Sequence, residues 1–211
     1  MTELFVSAFV TLFVVIDPPG CAPIYAGLTS GASPAQQRAM AIRASIIASL
    51  ILFGFALFGE AVLAALHIGL DSFRIAGGIM LFLIALEMVF EKRTQRREER
   101  AERVRAHQAE THEIEDVSVF PMAMPMVAGP GAIASIMLLT AKAQGTEQTL
   151  VILGALAAVM LLTLAALLTA APLMRLLGRE VEAVITRVLG VLLAALAAQF
   201  VIDGLRGSFG A

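Results

Sequence analysis

FVVIDPPGCAPIYAGL, residues 13–28, places one aspartate and three prolines inside an otherwise apolar run. Proline in a helix interior removes a hydrogen bond and clashes with the preceding turn, at about 3 kcal/mol. An aspartate at the centre of a membrane helix costs about 2.5–3.5 kcal/mol on insertion scales. Asp17, Pro18, Pro19 and Pro23 therefore belong either to a segment outside the bilayer or to a membrane helix that is interrupted for a reason.

Composition decides for the membrane. The chain is 59% hydrophobic with a mean hydropathy of +0.87, well above soluble domains. Apolar runs of the roughly 20 residues needed to cross a bilayer recur along it. Six spans are read, at 3–28, 40–66, 73–90, 118–140, 149–174 and 184–203, of which the first and fourth are interrupted. Cys21 is the only cysteine, so no intrachain disulfide can form.

Charge sets the expected orientation. Twelve Lys and Arg residues, among them Arg38, Arg43, seven between 92 and 105, Arg175, Arg179 and Arg187, fall after spans 1, 3 and 5. Only Arg74, Lys142 and Arg206 fall on the other side. The positive-inside rule then puts the basic loops in the cytoplasm and both termini in the periplasm. Glu3 and the lack of a basic leading segment argue against a cleaved signal peptide. The loop 92–117 is basic in its first half and acidic in its second. Glu99 and Arg103 have the i,i+4 order of an exposed helix. His107, His112 and Glu113 do not follow a metal-ligand spacing, so the loop reads as a solvated linker against anionic headgroups.

The interrupted first span has a counterpart. Setting Pro19–Gly20 over Pro130–Gly131 aligns PPGCAPI with GPGAIAS, and FRIAGGIMLFLIAL (73–86) aligns with TRVLGVLLAALAAQ (186–199). The two offsets, 111 and 113, are close to half the chain. A single membrane domain, 1–211, is therefore expected as two repeats, 1–91 and 118–211, around the cytoplasmic loop 92–117. Three spans per half force the halves into opposite orientations, the inverted-repeat plan of many secondary transporters. The fold class is all-α and polytopic, with helices 1 and 4 broken near the midplane.

At each break the chemistry suits a small charged solute. Asp17 stands where an N-cap would precede a half-helix, with proline at its favoured first position. The free N–H groups of that helix end attract a carboxylate or other anion. Gly129, Pro130 and Gly131 would do the same from the other half. Asp17, Pro19, Gly20, Cys21, Gly129, Pro130 and Gly131 are thus the candidate substrate-binding residues, with Asp17 also the candidate coupling-ion residue. The competing reading is that Asp17 only caps a kinked helix. Ser45, Ser49, Ser135 and Thr140 are expected to cross-bond helices. Arg74 and Arg187, at helix starts, are expected to pair with a carbonyl or an acid.

DPPGCAPIY, FRIAGGIMLFLIALEM and FPMAMPMVAGPGAIASIM together resemble the signature stretches of the MarC family of bacterial inner-membrane proteins, over essentially the whole chain. The resemblance implies six spans, kinship with the LysE exporter superfamily and a multi-pass place in the inner membrane. Some relatives are classed as transporters of small neutral amino acids.

The leading expectation is an ion-coupled secondary transporter of a small zwitterionic solute such as a neutral amino acid, with H+ or Na+ as coupling ion. Its partners would be that solute, the ion and the bilayer, with no nucleic acid, cofactor or metal. An enzyme is not expected, because His67, His107 and His112 lie at span ends or in the loop, away from a nucleophile. The alternative from another class is a non-transporting membrane scaffold or stress-related protein.

Overall fold

A computed structural model describes residues 1–90 and 116–210, with 95, 98, 99, 102 and 106 between them; of 171–183 the backbone alone is described. The elements are α1 (Thr2–Ile16), α2 (Pro18–Leu28), α3 (Pro34–Ala65), α4 (Leu70–Val89), α5 (Ser118–Val127), α6 (Pro130–Ala141), α7 (Thr146–Leu168) and α8 (Ala170–Phe209). Five helical stretches are long and apolar enough to cross a membrane, or six if α5 and α6, bent by 52° at their junction, form one span. The fold is an all-helical, multi-span membrane fold.

The helices outrun the apolar segments that the sequence marks. α3 begins at Pro34 rather than near 40, because Ser33 and Gln36 form a reciprocal capping box ahead of an N1 proline. Its 32 residues span about 48 Å at 1.5 Å per residue, against a hydrocarbon core of about 30 Å. α3 is therefore longer than the hydrocarbon core is thick. The fifth span likewise ends at Leu168 rather than 174, and helix α8 starts at Ala170, ahead of the sixth apolar run.

α5 is the least regular element. Two bonds of the wide i→i+5 kind bracket it, Met122 N to Val117 O at 3.2 Å and Ala128 N to Ala123 O at 2.9 Å. Phe120 (φ −124, ψ 128) and Met124 (φ −135, ψ 125) are extended, each directly before a proline. The residue before proline is pushed out of the helical region by the ring, so the two X-Pro steps account for the irregular path.

Packing holds the ends together. α1 and α2 lie against α7 and α8, while α5 and α6 lie against α3 and α4. Arg43 of α3 pairs with Asp116 ahead of α5. Burial works to raise the Asp116 carboxyl, but the Ser118 hydrogen bonds and the Arg43 guanidinium outweigh it and hold it below the usual range. Its stabilising share is therefore complete above the ordinary carboxylate pKa and is lost as pH falls through the lowered one. Lys142, after α6, pairs with Asp203 of α8 and sits 4.9 Å from the Phe200 ring centre.

The most extensive contact is between α4 and α8, and glycines permit it. A Cβ on Gly78 would lie 2.9 Å from Ala197 O and 3.0 Å from Val201 N, and one on Gly190 would lie 3.1 Å from Ala85 O. A Cβ on Gly204 would lie 2.8 Å from Asp71 O. As the position on α4 rises from 71 to 85, its partner on α8 falls from 204 to 190, so the two helices run antiparallel. Without a hydrophobic force between helices in lipid, such close backbone approach at small residues supplies the attraction. Gly78→Leu and Gly190→Leu should each lower stability by about 1–3 kcal/mol, the range for overpacking, whereas Gly54→Leu, which faces open space, should not. Thermal unfolding of the detergent-solubilised variants checks this.

Candidate functional site

Asp17 performs two structural tasks at one position. Its backbone is left-handed (φ 59, ψ 62), a region that aspartate tolerates better than most residues. That turn ends α1, with Asp17 N donating to Phe13 O at 2.9 Å. The same residue then caps α2: Gly20 N donates to Asp17 Oδ1 at 3.1 Å, and Cys21 N donates to Asp17 O at 3.0 Å. Pro18 and Pro19 have no N–H to satisfy. Every leading N–H of α2 is thus accounted for inside the chain.

The leading N–H groups of α2 that the sequence offers to an anion, those of Gly20 and Cys21, are bonded to Asp17 in this structure. Gly20 is required for a different reason from openness: a Cβ there would lie 2.2 Å from Asp17 Oδ2 and 2.9 Å from Oδ1. Asp17 is 2% exposed and Cys21 0%. The Cys21 thiol donates to Ile16 O at 3.5 Å.

The second candidate end differs. Gly129 is the N-cap of α6 and has no side chain to offer, Pro130 is N1, and the first bond of the helix is Ile133 N to Gly129 O at 3.0 Å. The N–H groups of Gly131 and Ala132 therefore receive no side-chain cap. Asp17 and Gly129 are the N-caps, and Pro18 and Pro130 the first-turn prolines, of α2 and α6.

The structure brings the two ends together. A Cβ on Gly131 would lie 3.4 Å from Val15 Cγ1, two residues before Asp17, and 2.5 Å from Ile84 Cδ1. The start of α6 thus abuts the last turn of α1, with Ile84 and Leu81 of α4 filling the space beside it. The Asp17 junction and the start of α6 are thus close neighbours through Val15.

Ser135 was read only as a helix cross-linker. It is 0% exposed, and its hydroxyl has no partner. Ser45, 5% exposed, is in the same state. Thr140 instead bonds within α6, to Ile136 O at 3.0 Å and Met137 O at 3.1 Å. The expected cross-helix bonds of Ser45, Ser135 and Thr140 are therefore not made. Ser135 stands one turn after Gly131 on α6, the spacing of side chains that share a helix face. Its signal in the sequence was its place one turn beyond the GPG break. Arg74 bonds Asp71 at 2.7 Å, the acid partner expected for it. His107, His112, Glu113 and Arg103 lie outside the described residues.

An all-helical chain with five or six crossing stretches and a buried acid at a helix junction defines a polytopic membrane protein. Comparison gives its family: the family described as "MarC family integral membrane protein" matches residues 2–209. The chain belongs to that family. It is similar to the UPF0056 membrane protein MJ1677 of Methanocaldococcus jannaschii, 34% identical with 98% of each chain covered. It is also similar to the UPF0056 membrane protein YvbG of Bacillus subtilis, 34% identical over 99% of this chain and 97% of that one. The UPF0056 inner membrane protein YhgN of Escherichia coli is 32% identical, with 98% of each chain covered. No solved structure matches the chain.

Gly20→Ala should force the Asp17 carboxylate away from Gly20 N and lose a cap worth about 1 kcal/mol. Asp17→Ala should lose the same cap. Asp17→Asn should keep it, since the two residues cap about equally well. Unfolding of the three variants in detergent, followed by circular dichroism, measures the difference.

Proposed function

We propose that this protein is an ion-coupled secondary transporter of a small zwitterionic solute such as a neutral amino acid, built as two inverted repeats whose first helices break near the midplane. The observation that carries the reading is the pairing of unlike helix ends. Asp17 supplies a buried carboxyl group at one end, and the N–H groups of Gly131 and Ala132, without a side-chain cap, supply the positive pole of the other. A solute with an ammonium and a carboxylate matches that polarity, the ammonium toward Asp17 and the carboxylate toward α6. Ser135 adds an uncommitted hydroxyl on the carboxylate side. Ionisable groups at this depth usually mark ion pathways, which suits Asp17 to a proton or sodium ion.

A common register supports the repeat. A shift of 112 residues carries Asp17 onto Gly129, Pro18 onto Pro130, Gly78 onto Gly190 and Ala85 onto Ala197. The reciprocal contacts of Gly78 with Ala197 and of Gly190 with Ala85 are those of an isologous pair. The antiparallel run of α4 and α8 agrees with halves of opposite orientation. Energy would come from the membrane field, about 2.3 kcal/mol per charge per 100 mV, equivalent to about a 40-fold gradient.

One observation favours the second reading, a non-transporting scaffold: the cap at Asp17 is complete and Ile84, Val15 and Leu81 fill the space at Gly131. Transport therefore requires α4 and α6 to separate there. Reconstituted protein, given labelled neutral amino acids under imposed proton or sodium gradients, decides between the readings. Asp17→Asn should fold normally, yet lose uphill transport at least tenfold. Wild-type concentrative transport by that variant would leave Asp17 as a cap alone. Reporter fusions should place residue 105 in the cytoplasm and the C-terminus in the periplasm, and the reverse pattern would invert the orientation.

A further inference from the structure

A pocket of about 210 Å³ lies where α2, α3, α7 and α8 meet, lined by Tyr25, Thr29, Pro34, Arg38, Leu167 and Leu168 among others. It shares no residue with the Asp17 site and does not depend on its reading. The floor is fixed by internal bonds. The Tyr25 hydroxyl donates to Gln37 O, Thr29 Oγ1 donates to Tyr25 O at 2.8 Å, and Gln37 Nε2 donates to Thr29 O at 2.8 Å and Ala32 O at 3.2 Å. These bonds consume the wall's own donors and hold the turn between α2 and α3 in one shape.

Arg38 is the exception. Arg43, Arg74 and Lys142 each pair with an aspartate, whereas Arg38 makes no ion pair with any described residue and is exposed at the pocket. It also stands near the start of α3, where the positive helix end disfavours a cation. Arg38 thus brings a positive charge to a cavity whose opposite wall includes Leu167 and Leu168. The pocket lies at the helix ends Leu28, Pro34 and Leu168, which is headgroup level, and Leu168 is 43% exposed.

We infer that this pocket is a binding site for an oxyanion carried on an apolar body, with Arg38 on the oxyanion and Leu167 and Leu168 against the apolar part. An anionic phospholipid of the surrounding leaflet supplies both parts, the phosphate to the guanidinium and the first acyl carbons to the leucines. A soluble phosphate or carboxylate supplies the same head chemistry from the water side. The face concerned is the one to which the basic loops assign the cytoplasm, where anionic lipid is enriched.

The chain itself provides the probe. It has no tryptophan and a single tyrosine, Tyr25, which lines the pocket, so ultraviolet-excited emission reports on this site alone. The full-length protein is reconstituted into protein-free phosphatidylcholine vesicles containing either phosphatidylglycerol or phosphatidylcholine with brominated acyl chains. In a second arm, the protein in neutral detergent is titrated with inorganic phosphate and with acetate. The brominated anionic lipid should quench Tyr25 at about fivefold lower mole fraction than the neutral one, the size of one basic residue at an anionic surface. Arg38→Gln should abolish that preference, and Arg38→Lys should keep most of it. An Arg38-dependent change in emission with phosphate or acetate, without lipid preference, supports the same site with a soluble ligand. Equal quenching by both lipids together with no response to either anion overturns the inference. So does a response of unchanged size in Arg38→Gln, whose helix content by circular dichroism confirms that it is folded.

Discussion

In a hydrocarbon environment each unsatisfied backbone N–H costs several kcal/mol, and the junction at Asp17 is organised around that cost. A helix that stops and restarts exposes donors and acceptors on both sides of the break. Here the left-handed turn returns the Asp17 N–H to Phe13, its carbonyl receives Cys21 N, and its carboxylate receives Gly20 N. Two prolines remove the remaining donors before they need partners. The interruption is therefore nearly closed in hydrogen-bonding terms, and the 27 residues from Thr2 to Leu28 still serve as one crossing stretch. Gly20 follows from the same constraint, because only a residue without Cβ leaves room for the carboxylate.

The junction between α5 and α6 is built differently. Gly129 has no carboxylate, the α5–α6 junction bends by 52°, and α5 carries two extended residues before prolines. One break is capped by a side-chain carboxylate, whereas the other has no side-chain cap and lies one turn before a Ser135 hydroxyl that is buried without a partner among the described residues.

Small residues determine how α4 and α8 meet. In water, burial of leucine and valine drives helices together, but lipid is as apolar as those side chains and removes that force. The α4–α8 contact rests instead on Gly78, Gly190 and Gly204, each lying against backbone atoms of the opposite helix. Surface charges then fasten the ends, at Arg43–Asp116 and at Lys142–Asp203. Arg38 lies outside these pairs, which is why its pocket carries chemistry that the bundle itself does not use.

The sequence by itself determined the membrane class, the places of the crossing stretches, the interruption at Asp17 and the GPG turn. These follow from local physics: apolar run length, proline's missing donor and the capping preference of aspartate. The capping box at Ser33 and Gln36 was equally local, yet it lay outside the apolar runs and so the start of α3 was placed too late. Only the tertiary structure decided that the donors of α2 are spent on Asp17, because the direction of a carboxylate depends on a left-handed turn that sequence does not reveal. It also decided that Gly131 meets Val15 and that Ser135 stays unbonded. The pocket at Arg38 arises from residues far apart in the chain, Tyr25 to Leu168, and only packing brings them to one place.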